Sequence, residues 1–141
     1  MTKLNDTGEL KTYGPQSGTE PDLITRDRIP KGEECFKLVR RTASSRTCYD
    51  GVYIRIKNLE RFRTQLWEVL EEYDDSDDIK PKTGFSVSEN HADTCCASCG
   101  RKIEDGVYTL SLSAGNSYVR IHIGCIPKLI AKTHEAEDLV D

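Results

Sequence analysis

Two short pairs of side chains constrain this chain more than anything else in it. Cys96-Ala97-Ser98-Cys99 is a Cys-x2-Cys turn closed by Gly100, and His122-Ile123-Gly124-Cys125 is a His-x2-Cys pair 22 residues further on. Two thiolates at this spacing face one metal ion across a tight turn, and the glycine lets the backbone curl so that its amides reach the sulfurs. His122 leaves the end of an alternating, strand-like segment. Cys125 opens a helical one, where the helix N-terminus favours the negative charge of a thiolate. Three sulfurs and one imidazole make a closed, tetrahedral zinc site with no open position, which is the structural kind. The expectation is one structural zinc per chain, held by Cys96, Cys99, His122 and Cys125. Cys95 stays open as a substitute for Cys96 in a Cys-x3-Cys arrangement, and His91 is a weaker spare.

The rest of the composition fits this reading. Six cysteines stand in a chain whose first residues, MTKLNDTGEL, lack the apolar centre of a signal peptide, so metal binding is expected rather than a disulfide framework. Mean hydropathy is -0.59, and no apolar run approaches the ~20 residues that cross a bilayer. A cytoplasmic protein without a membrane partner is expected.

Periodicity divides the chain. Residues 1–28 hold scattered Gly, Pro, Ser and Thr and are expected to be mostly disordered. A strand is predicted over residues 35–41. A second follows at 52–57, with Val52, Ile54 and Ile56 facing one way and Tyr53, Arg55 and Lys57 the other. Asn58 is placed to cap a helix carrying Leu59, Phe62, Leu66, Val69, Leu70 and Tyr73 on one stripe, with Trp67 off it. Residues 29–74 therefore read as a basic strand–strand–helix unit, and 75–88 as an acidic linker. Residues 89–134 form the metal-binding unit: the knuckle, a hairpin from Gly106 to Ile123 turning at 113–117, and a helix with Pro127 in its first turn. Residues 135–141 read as an acidic, fraying tail. No internal repeat is evident. The fold class is α+β.

The second unit, from Cys96-Ala-Ser-Cys99-Gly-Arg-Lys-Ile103-Glu-Asp-Gly106 to His122-Ile-Gly-Cys125 and its helix, resembles a treble-clef zinc finger. It is similar to half of a LIM domain and to the poly(ADP-ribose) polymerase-type finger. That resemblance implies binding of nucleic acid or of protein partners. The order of the first unit, with Gly51-Val-Tyr-Ile-Arg-Ile leading to Phe62-Arg-Thr-Gln-Leu-Trp67, faintly resembles Pur-type and transcriptional-coactivator-type single-stranded DNA-binding proteins.

Charge is divided as sharply as periodicity. The net charge of -4 conceals +6 between Cys35 and Trp67, where eight cations face Asp50 and Glu60, and -7 between Glu68 and Asp78. Lys37, Arg41, Tyr53, Arg55 and Lys57 are expected on one open sheet face, an aromatic among cations, as single-stranded nucleic acid requires. The thin first unit is expected to need cover for its sheet, as a dimer mate would give. No Gly-rich phosphate loop, His-Glu-x2-His or serine elbow is present, so no enzyme is expected. The function expected is a zinc-binding, DNA-binding regulatory protein, single strands included. The alternative is a protein–protein adaptor in which zinc only stabilises the fold.

Overall fold

Both hairpins form as the alternation requires, but each belongs to a larger sheet. The computed structural model describes residues 8–11, 20–75, 85–115 and 117–139. The first sheet contains β1 (Gly8–Lys11), β2 (Cys35–Arg41) and β3 (Cys48–Arg55). The second contains β4 (Phe85–Glu89), β5 (Tyr108–Ala114) and β6 (Ser117–His122). Each is antiparallel, in chain order. After β3 a single 3-10 turn, Ile56–Asn58, leads into α1 (Leu59–Asp75). After β6 the turn Ile123–Cys125 leads into α2 (Ile126–Leu139). The fold is α+β.

The same succession of three strands, one 3-10 turn and one helix thus occurs twice, which corrects the expectation that the chain has no internal repeat. The sequence carries only a trace of it. Val52-x-Ile54-x-Ile56 returns as Val119-x-Ile121-x-Ile123, and Ile29-x2-Gly32 as Ile103-x2-Gly106.

Several boundaries differ from expectation, each for a visible reason. Residues 20–28 are not a loose leader: Asp22 and Leu23 are fully buried, and the segment is stitched to β3 by the Leu23 N–H on the Tyr53 carbonyl at 2.9 Å. The remainder of the expected N-terminal segment, apart from β1, lies outside the described residues. So does most of the acidic linker, whose last residues instead form β4 with Phe85 buried. β3 starts at Cys48, before the expected position, because Gly51 forms a bulge opposite Leu38 and Val39. A Cβ at Gly51 would lie 2.1 Å from the Leu38 carbonyl oxygen and 2.5 Å from Val119 Cγ1. Only glycine fits there. The second hairpin turns within the expected 113–117 but more tightly, with Ala114 paired to Ser117 and Gly115 at φ +61°, the left-handed geometry a two-residue turn demands. Ile56 and Lys57 leave the strand for the 3-10 turn. The acidic tail does not fray through Leu139: Ala136 is buried, and Glu137 forms an ion pair with Arg63 of α1.

One hydrophobic core runs through both halves. Phe36, Leu38, Ile54, Phe62 and Leu66 join Phe85, Leu110, Leu112, Ile121 and Leu129 in it, and the Phe62 and Phe85 rings meet at 6.0 Å. β3 packs beside β6, and α1 beside α2. Cover for the first sheet therefore comes from within the chain. Across this seam the Cys95 N–H bonds the Arg41 carbonyl at 2.9 Å, and Asp93 accepts from the Ser44 backbone and hydroxyl. The Arg40 guanidinium lies over Tyr49 of its own sheet at 4.6 Å and over Tyr118 of the other at 4.9 Å.

Candidate metal centre

The knuckle is placed by backbone bonds rather than by the helix. Cys96 N–H reaches the Arg101 carbonyl, and the Gly100 N–H returns to the Cys96 carbonyl at 2.9 Å, with Gly100 at φ +78°. The chain therefore curls around the Cys96 sulfur, which accepts N–H bonds from Ser98 at 3.3 Å, Cys99 at 3.5 Å and His122 at 3.3 Å. His122 ends β6, which pairs with β5 through Thr109. Cys125 closes the 3-10 turn that starts α2. Two elements converge on one point.

There the four expected ligands come together. The donor atoms of Cys96, Cys99, His122 and Cys125 all lie within 4.8 Å of one another. Cys99 Sγ is 3.5 Å and Cys125 Sγ 4.0 Å from His122 Nδ1. Sulfurs 2.3 Å from a common tetrahedral centre stand about 3.8 Å apart, so the cluster has the dimensions of a metal site. Cys95 is not part of it. Its buried thiol lies 3.7 Å from the Arg46 guanidinium, since neighbouring residues on an extended segment face opposite ways. His91 is exposed between Glu89 and Asp105, and those carboxylates, Asp105 foremost, raise its pKa.

The electrostatics favour a cation at this point. Burial, and then the charges of Cys96 and Cys99, push the Cys125 thiol up to about 12. Burial also raises Cys96, against its N–H bonds. At Cys99 burial acts upward but is outweighed by the Arg101 N–H and the neighbouring thiols, and the net shift is downward. Burial, with Arg101, lowers His122 and keeps its imidazole neutral, as a ligand must be. Three crowded sulfurs repel one another as thiolates, and a metal ion among them would relieve that repulsion.

Lys132 was not expected from the sequence. Its ammonium donates to the Ser98 carbonyl at 2.7 Å, and burial lowers its pKa while the three cysteines pull it back up. A divalent ion bound by three thiolates would carry a net charge of -1, which the neighbouring Lys132 ammonium is placed to offset. Lys132 follows Cys125 by two helical turns, which puts both on one face. That spacing was the available signal.

The expected nucleic-acid face is not open. Tyr53 is 5% exposed and packs with Ile29 and Cys35, beneath Lys37 Nζ at 5.4 Å. Arg55 is held by the Glu33 carboxylate through two N–H bonds. Arg41 is half-buried at the seam, with its carbonyl bonded to Cys95, and Lys57 is exposed. The alternation of the strand holds, with Val52 and Ile54 in the core, but residues 20–34 cover what would have been its solvent face. Cys35 is fully buried beside Tyr53 and Ile29. The Asp22 carboxylate, fully buried at the edge of that cover, was not anticipated at all. Among the described residues no helix is long and apolar enough to cross a membrane. No family model matches the chain, and no curated protein does.

Proposed function

We propose that the chain is a zinc-stapled protein-interaction module. The zinc is structural, and the second half is a treble-clef finger. The donor chemistry supports zinc: three thiols and a neutral imidazole suit a closed, four-coordinate Zn2+. Bound there, the ion supplies folding free energy and leaves no position for a substrate. Cys96, Cys99, His122 and Cys125 hold it, and Lys132 balances the charge. Elemental analysis of protein purified without chelator is expected to give one zinc per chain; none would remove this reading.

The observation that carries the interaction role is Trp67. It stands 49% exposed on α1, between exposed Thr64 and Glu71 at helical spacing. α1 ends in Glu71, Glu72, Asp74 and Asp75 with no basic residue in its last turn, and Asp77 and Asp78 follow in sequence. Acids at a helix C-terminus oppose the macrodipole and cost stability. A cationic partner relieves that cost while an exposed indole offers it a flat apolar contact and a cation–π face. The occupant is therefore an Arg- and Lys-rich peptide segment. Titrating such a peptide is expected to change Trp67 fluorescence, with an affinity that weakens with salt, and calorimetry is expected to show binding lost in Trp67→Ala. A salt-dependent gel shift with single- or double-stranded DNA, lost in Lys57→Ala, would restore nucleic acid as the partner instead.

A further inference from the structure

The two halves match below the level of topology, down to single hydrogen bonds. Asp22 corresponds to Cys96. The Asp22 N–H reaches the Asp27 carbonyl as Cys96 N–H reaches Arg101, and Arg26 N–H returns to the Asp22 carbonyl as Gly100 does to Cys96. Leu23 N–H bonds Tyr53 as Ala97 N–H bonds Arg120. Parallel bridges join Asp22 to Tyr53 and Cys96 to Arg120. Arg26 has φ +69° where Gly100 has +78°, and Gly32 has +92° where Gly106 has +83°. An arginine in the left-handed region is uncommon, so the frame is imposed rather than chosen by the local residue.

The ligand positions match as well. The Asp22 carboxylate accepts N–H bonds from Ile24 and Thr25 at 2.8 Å and from Arg55 at 2.6 Å. Those amides are the counterparts of Ser98, Cys99 and His122, which bond the Cys96 sulfur. Arg55, at φ -62° and ψ 144°, precedes its 3-10 turn as His122 does at -57° and 137°. Asn58 closes that turn as Cys125 closes the other, and its buried Nδ2 has no hydrogen-bond partner among the described residues. The halves also meet as two copies would about a two-fold axis: β3 on β6, α1 on α2, and β2 on β6 mirrored by β5 on β3.

We infer that the first half is a metal-free copy of the metal centre, with Asp22, Thr25, Arg55 and Asn58 in the four ligand positions. Asp22 takes the place of the metal-bound sulfur of Cys96. Its carboxylate carries the anionic charge that the three amides need without a cation, and the Arg55 guanidinium turns away to Glu33 instead of inward to a metal. The inference extends the proposed metal reading of the second half.

It is tested by restoring ligands in the full chain: Asp22→Cys, Thr25→Cys, Arg55→His and Asn58→Cys together. Loaded with Co2+, the wild type is expected to take one ion and the variant two, with the thiolate-to-cobalt absorbance doubled. A wild type that takes none overturns the metal reading of the second half. A folded variant that takes one while the wild type takes one overturns this inference. If the variant does not fold, Asp22→Asn decides: amide exchange at Arg55, or at Ile24 and Thr25, is expected to rise about tenfold or more. Unchanged exchange at all three would show that the carboxylate does not do the work of the Cys96 sulfur.

Discussion

The turn around Asp22 and the turn around Cys96 have the same backbone and opposite requirements. Both gather three N–H groups onto one acceptor and set a 3-10 turn and a helix against it. In the first, the acceptor is a buried carboxylate, with Arg55 and Glu33 paired alongside. In the second, it is one of three crowded sulfurs, the hardest of which, Cys125, is pushed up to about 12. The backbone frame therefore forms around either acceptor, and only the crowded thiols call for a metal. On the proposed reading, the second turn depends on an ion where the first relies on a carboxylate.

Removing the ion gives the largest expected effect. Structural zinc contributes roughly 10–16 kcal/mol in isolated finger peptides, comparable with the whole stability of a domain, about 5–15 kcal/mol. Chelation, or Cys99→Ser, is expected to unfold the second half. Because the core is shared, the first half should melt with it in a single circular-dichroism transition. A first half that stays folded would break the comparison and make the units independent. Next comes Asp22→Ala, which leaves three amides without an acceptor. Each costs about 1–3 kcal/mol, so urea denaturation should show a loss of roughly 3 kcal/mol or more while the zinc content of the folded protein stays the same. A fall in zinc content would instead tie both turns to the metal. Gly51→Ala tests the seam. Its methyl meets the Leu38 carbonyl and Val119 at once, and overpacking of this kind costs about 1–3 kcal/mol. Smallest is Trp67→Ala, expected to shift stability by no more than about 0.5 kcal/mol while removing binding of a basic peptide.

The second half was the more legible because its chemistry is written in residue types. Cysteine pairs at fixed spacing named the four ligands before any contact was known, and the hairpin between them followed from alternation. The first half was hidden by the substitution that defines it. Asp22-x2-Thr25 and Arg55-x2-Asn58 have the ligand spacing but no thiol or imidazole, and each is an ordinary surface pattern when read alone. The same blindness inverted Tyr53. Alternation placed it opposite Val52 and Ile54 correctly, yet alternation cannot say that residues 20–34 return to cover that face. β1 and β4 escaped for a related reason: each is an edge strand too short and too polar for its own period to show. Lys132 was readable, two turns beyond Cys125, but a lone lysine on an exposed-looking helix face gives no reason to look.

The packing of α1 on α2 has a consequence for how the molecule responds to its surroundings. Arg63 of α1 touches both Thr133 and Glu137 of α2, and α2 begins at the residue after Cys125. On the proposed function, a peptide seated along α1 and an ion seated at the cluster would stabilise the same pair of helices. Linkage makes their effects reciprocal: whatever factor the ion adds to peptide affinity, the peptide adds to ion affinity. A cell compartment poor in free zinc would then weaken the module's grip on its partner, and an engaged partner would slow the escape of the ion.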